Sequence, residues 1–226
     1  MESKITDKQK KYLIIINKVL AVLAKIAKIF VMIAIPFVVI TMITFVVLVN
    51  KIDISKNQIK MDDIGFVLNI DKNNNNLVVR FNDDGVQTIT STEIVDNVQN
   101  VINNHSKTEL LVLTEVGMII IIVDLVLMIM ILNSLEKLFK NLFKKDTPFI
   151  MENVLFIKKA AYLMITTILL TWIAGIIFEL ILGLDLNVSL EISNIIEVLF
   201  LFSIAYIFQY GCQIQAESQT RLYDGR

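Results

Sequence analysis

Three carboxylates, Asp124, Glu179 and Glu197, stand inside stretches of sequence that are otherwise almost free of charge. An ionisable side chain in hydrocarbon is costly, so such groups face a protein interior or a watery path and serve ion passage, proton relay or packing. Asp124 lies nine residues into its apolar run, and Glu179 and Glu197 lie eight before and ten after Asn187. At about 1.5 Å per residue, all three fall roughly 12 to 15 Å below the same membrane boundary. One acidic layer is the expectation. Thr167, Thr171, Gly175, Glu179 and Gly183 recur every four residues, as do Ser189, Ser193 and Glu197. Small and hydroxyl residues close contacts between membrane helices, which predicts that these faces turn inward. No Lys or Arg lies at that depth, so of two adjacent carboxylates at least one must hold a proton. Two readings stand: a site for a proton or cation, or protonated acids that hydrogen-bond across helices or reach outer water.

Little else in the chain could do chemistry. A single cysteine, Cys212, and a single histidine, His105, exclude an internal disulfide and a Cys/His zinc cluster. Asp71-x-Asn73-x-Asn75 has the spacing that opens a calcium loop. However, Asn76 stands where that loop needs Gly, and Asn82 where it needs a bidentate Glu, so a hairpin loop is the better reading. Cys212, near a membrane edge, is an inert thiol or a palmitoylation site. With no activated nucleophile, metal constellation or phosphate loop, the expectation is a non-enzyme without a cofactor.

The elements that must position these residues are membrane helices. Of 226 residues, 55% are hydrophobic and 19% charged, and the mean hydropathy is +0.68. A water-soluble domain keeps nearer a quarter of its residues charged. Residues 29–49 form a charge-free run of roughly 31 Å as a helix, matching a hydrocarbon core of about 30 Å. Pro36 lies within it. Ahead of it, residues 1–28 read as a basic amphipathic lead-in at the membrane surface, with Lys11, Lys18 and Lys25 seven apart. Residues 116–135, 160–184 and 192–212 supply three further spans. In the second of the four, roughly 16 strongly apolar residues outweigh the cost of Asp124, about 3 kcal/mol.

Residues 51–108 are polar and read as a small β-plus-α module. The runs 65–70 (GFVLNI) and 77–82 (LVVRFN) predict a hairpin, and 86–90 a third strand. Thr90 stands three before Glu93 in capping-box spacing, ahead of apolar residues at helical intervals up to Ile102. Net charge is −1, so orientation rests on placement rather than sum. With both termini inside, 15 of the 21 basic residues are cytoplasmic and 6 are not. The positive-inside rule favours that topology, with 51–108 extracellular and the loop 136–159 and tail 213–226 cytoplasmic. Eighteen of the 21 basic residues are Lys, and Ile and Asn are abundant, a composition typical of an AT-rich bacterial genome. The cytoplasmic stretch 135–145 (LEKLFKNLFKK) either lies on lipid, receives a partner, or extends the second span.

Two stretches carry a resemblance. Pro148-Phe149-Ile150-Met151-Glu152-Asn153-Val154 precedes the third span, and Gly211-Cys212-Gln213-Ile214-Gln215-Ala216-Glu217-Ser218-Gln219 follows the fourth. Together they resemble the bacterial membrane family catalogued as domain of unknown function 2975 (DUF2975), over roughly residues 125–222. Ile150 departs from that family's hydroxyl residue and Gln219 from its acid. Thr147 ahead of Pro148 is then expected to cap the third helix instead. The resemblance implies a regulatory membrane protein whose partner is a small helix-turn-helix regulator. Glu152, Asn153, Gln215 and Glu217, with Pro148 and Phe149, either clasp loop to tail or meet that partner.

The sequence therefore leads to a four-span, mainly α membrane protein in a bacterial cell membrane that binds a cytoplasmic or membrane partner and not nucleic acid directly. The alternative is a small transporter, channel subunit or immunity-type protein using the acidic layer, which would require a homo-oligomer to form a pore.

Overall fold

A computed structural model describes residues 7–51, 53–55, 58–61, 66–71, 76–81, 85–90, 101, 104–144, 147–182 and 189–224. It is mainly helical. Its helices are α1 (Asp7–Lys51), α2 (Lys107–Lys144), α3 (Met151–Leu182) and α4 (Ile192–Asp224). All four are long and apolar enough to cross a membrane, so the chain is a multi-pass membrane protein. Each exceeds the roughly 20 residues that a crossing needs.

Helix ends differ from those expected, for one physical reason. Once nucleated, a helix gains a hydrogen bond with each residue added, and it stops at a residue that cannot continue it, not at the edge of a hydrophobic run. The lead-in 1–28 and the first span are accordingly one helix, α1, with Pro36 inside it. Helix α2 begins nine residues before Val116 and carries the 135–145 stretch as far as Lys144 as its own continuation. Helix α3 starts at Met151, nine residues before the apolar run from Ala160 and three after the Pro148 start that a Thr147 cap would give. Of the expected 136–159 loop, the non-helical part is the short piece holding Thr147 and Pro148.

The chain divides into two compact units. The first comprises 1–35, 122–171 and 189–226; the second comprises 36–121 and 172–188. In the first, Leu138, Ile157 and Ala205 form a buried cluster from α2, α3 and α4, against which Leu135, Leu142, Phe156, Leu201, Ile204 and Phe208 pack. Alanines are prominent among its buried side chains, at Ala21, Ala24, Ala160, Ala161 and Ala205. Small side chains let backbones approach, so van der Waals contact replaces the hydrophobic drive that lipid removes. The serine stripe does not share this role. Ser189, Ser193 and Glu197 are exposed, and it is Val198 that turns inward.

The second unit contains a five-stranded antiparallel sheet in the order β1 (Asp53–Ser55), β2 (Gln58–Met61), β3 (Phe66–Asp71), β4 (Asn76–Phe81), β5 (Gly85–Thr90). Strands β3 and β4 pair from Phe66↔Phe81 to Asp71↔Asn76. Their β-branched and aromatic residues favour the pleated backbone. Strands β1 and β2 have no counterpart in the sequence reading, because their few apolar residues set up no clear alternation. The helix expected between Glu93 and Ile102, apart from the helical Val101, and the loop residues Asn73 and Asn75 lie outside the described residues. In the same unit, α2 opens with a capping box. The Glu109 carboxylate accepts from the Ser106 N–H at 2.7 Å, and the Ser106 hydroxyl accepts from the Glu109 N–H at 3.2 Å. His105 Nδ1 lies 3.9 Å from that carboxylate, so it is not a bare loop histidine.

Candidate functional site

The residues of the two motif stretches meet in the first unit, where the connection between α2 and α3 lies beside α4. Pro148 cannot donate a backbone hydrogen bond, and the turn it makes is held from both sides. Thr147 Oγ1 accepts from the Phe149 N–H at 3.2 Å, closing the turn locally. It also donates to Gln215 Oε1 on α4, likewise at 3.2 Å. Thr147 is thus a bridge to α4 and not the N-cap of α3, which begins only at Met151. The first-turn amides are met by Ile150, whose carbonyl accepts from Asn153 N at 3.0 Å.

Asn153 is the most enclosed of these residues, at 0% exposure, between Ile150 and the buried Val154 and Ile157. Its Nδ2 donates to the Pro148 carbonyl at 2.8 Å, which fixes the turn onto α3. Its side chain is enclosed and its hydrogen bond joins the turn to α3 rather than to the tail. Glu152 is exposed and accepts from Asn141 Nδ2 at 3.1 Å, joining α3 to α2. Glu217 is exposed on α4. Lys158 Nζ donates to Gln209 Oε1 at 2.9 Å, a second polar link between α3 and α4.

Phe149 sets the distance of the turn from α4. Its ring meets Phe208 edge-on, with centroids 5.6 Å apart at 65°. It lies directly over Gly211, where a Cβ would fall 2.7 Å from ring atoms Cε1 and Cγ and nearer still to Cδ1. Only a bare α-carbon admits that approach. We expect Gly211→Ala to push the ring off α4 and destabilise the fold by about 1 to 3 kcal/mol, the usual cost of overpacking. Unfolding in detergent micelles checks this, and an unchanged midpoint would show that the ring relocates freely. Beside this contact lies a concavity of about 500 Å³, lined by Thr147, Phe149, Tyr210, Ile214, Gln215 and Ser218, among others.

A polar cluster of the same unit was not singled out from the sequence. Glu136, only 5% exposed, accepts from Lys28 Nζ on α1 and from Lys140 Nζ at 2.6 Å. Lys28 Nζ also lies 3.5 Å from Asn133 Oδ1. Glu136 follows the apolar run 116–135, outside the membrane-spanning stretch. The ammonium groups of Lys140 and then Lys28 hold its carboxyl below its ordinary 4.5, against the opposing effect of burial. A signal for it exists in the sequence. Lys28 is the last charge before one apolar run and Glu136 the first after the next, and Glu136 and Lys140 have the i,i+4 spacing of a helical ion pair.

Of the three acids expected to form one layer, Asp124 and Glu197 belong to the first unit and Glu179 to the second. Asp124 is half-buried in the first unit, with Oδ1 enclosed and without a hydrogen-bond partner among the described residues. Glu197, in that unit too, is exposed, so the inward orientation expected for it is overturned. A four-residue repeat fixes which residues share a face, but not where the face points. Glu179 is half-buried and belongs to the second unit. Glu115, in that unit, also has an enclosed oxygen without a hydrogen-bond partner among the described residues. The chain matches no family model, and no curated protein or solved structure shows significant similarity to it.

Proposed function

We propose that this is a non-enzymatic regulatory or sensory protein of a bacterial cell membrane, acting by binding a cytoplasmic or membrane partner. Both termini are cytoplasmic in this reading, and residues 51–108 form an extracellular β-plus-α module. The observation that carries it is the pinned turn. Phe149 against Gly211 and Thr147 on Gln215 hold the α2–α3 connection on α4, while Tyr210, Ile214 and Glu217 remain exposed beside it. A preorganised surface spends less of its interaction energy on ordering when it binds. The distribution of Lys and Arg supports the orientation. The resemblance of 148–154 and 211–219 to DUF2975 supports a helix-turn-helix regulator as the partner.

A second reading draws on the enclosed Asp124 Oδ1, which has no hydrogen-bond partner among the described residues. In it, Asp124 passes a proton or cation through a homo-oligomer, since an ionisable group in a membrane helix marks an ion path. One experiment separates the two. Crosslinking pull-down from native membranes is compared for wild type, a Glu152→Ala/Glu217→Ala double variant and Asp124→Asn. Asn153 is left intact because it is buried. The regulatory reading expects a helix-turn-helix protein recovered with wild type and Asp124→Asn and lost with the double variant. Recovery of the protein alone, together with proton flux that Asp124→Asn abolishes, would replace it with the second.

A further inference from the structure

We infer that the face of α3 formed by Leu155, Lys158, Lys159, Tyr162, Leu163 and Thr166 is a binding site for the headgroup of an anionic phospholipid. These residues follow one another at alternating spacings of three and one, so they form one stripe of the helix. The stripe lines a concavity of about 390 Å³ in the first unit. Two of its side chains are held by α4. Lys158 is tied to Gln209, and the Tyr162 ring meets Phe202 edge-on at 5.2 Å and 74°.

Charge selects the occupant. Gln209 is neutral, so its hydrogen bond orients the Lys158 ammonium without cancelling it. Lys159 is exposed and has no carboxylate partner among the described residues. The lining contains no acid. The nearest acid earlier on the helix, Glu152, lies two turns away and is engaged by Asn141. Two uncompensated cations side by side call for an anion.

Position selects which anion. Lys158 and Lys159 are the last charges before the apolar run from Ala160, which places them where lipid phosphates lie. Tyr162, 61% exposed, stands one turn deeper, at the level where tyrosine rings anchor to the interface. Leu163 and the exposed Leu169 continue the stripe into the hydrocarbon, offering an acyl chain a path that a soluble phosphate would not use. Basic pockets at the membrane edge bind lipid headgroups in this way.

The test uses the full chain in uncharged detergent, with native mass spectrometry counting bound phosphatidylglycerol against an equal concentration of phosphatidylcholine. Wild type is expected to prefer phosphatidylglycerol. Lys159→Gln disturbs no hydrogen bond and should cut that preference by roughly fivefold, the effect of one ammonium at an anionic surface. Lys158→Arg/Lys159→Arg should retain it. Lys11→Gln/Lys144→Gln, which removes two exposed charges elsewhere, should retain it as well. An equal loss in that control would reduce the site to bulk attraction and overturn the inference. So would the absence of any preference, or displacement of the lipid by equimolar glycerol 3-phosphate, which would mark a site for soluble anions.

Discussion

Lys28→Met is expected to destabilise the protein by about 3 kcal/mol, while Lys28→Met/Glu136→Leu loses much less. Breaking a buried ion pair from one side strands the remaining charge, at a cost of about 3 to 5 kcal/mol, whereas replacing both partners with apolar groups is often neutral. The low end applies because Lys140 still faces Glu136 at 2.6 Å. Lys140 cannot substitute fully. Its side chain is 47% exposed, against 18% for Lys28, so solvent screens more of its attraction. Chemical unfolding in bicelles reads the difference, and a single variant as stable as wild type would show that Lys28 contributes nothing to holding Glu136. The same cluster gives a pH dependence. Because the folded carboxyl titrates below its ordinary 4.5, its stabilisation is complete above that value and is lost as pH falls through the folded pKa. Acid should therefore narrow the gap between wild type and Lys28→Met.

The second large effect is expected at Asn153. Asn153→Ala removes the only side-chain donor to the Pro148 carbonyl among the described residues, and it leaves a void where exposure is 0%. The Pro148 carbonyl keeps the Ile150 N–H at 3.0 Å, so the loss is one hydrogen bond, about 0.5 to 1.5 kcal/mol, together with the void, and about 1 to 3 kcal/mol is expected in all. Asn153→Asp should separate the hydrogen bond from the volume. The ionised carboxylate would face a carbonyl oxygen and repel it, while the protonated acid can still donate. That variant should be nearest wild type at low pH and weaken as pH rises. Limited proteolysis of the α2–α3 connection, run alongside unfolding, distinguishes release of the turn from general loosening. A turn as protected in Asn153→Ala as in wild type would mean that Thr147 and Phe149 hold it unaided.

The four spans could be read from the sequence because a long apolar run permits few other fates. The helix ends could not, since nothing in 107–115 or 151–159 stops a helix, and amphipathic or charged composition there says only that water is near. The motif residues were legible as a group through two separated stretches. Their division of labour was not. Whether Asn153 faces a partner or the inside depends on how Pro148 folds back, and whether Phe149 can reach α4 depends on Gly211, 62 positions later. Lys28 and Glu136 are 108 residues apart, and only the packing of α1 on α2 joins them. Glu197 was misread because hydroxyl periodicity was taken for burial, while buried alanines mark the contacts.

Every strand of the sheet pairs with the one before it in the chain, and no crossover occurs anywhere from β1 to β5. Such wiring has low contact order, so closing each hairpin requires only a short segment to find its neighbour. As the polypeptide is made from its N-terminus, each new strand meets an edge already formed. The sheet can assemble progressively, with no stage at which it must wait for a distant segment of chain.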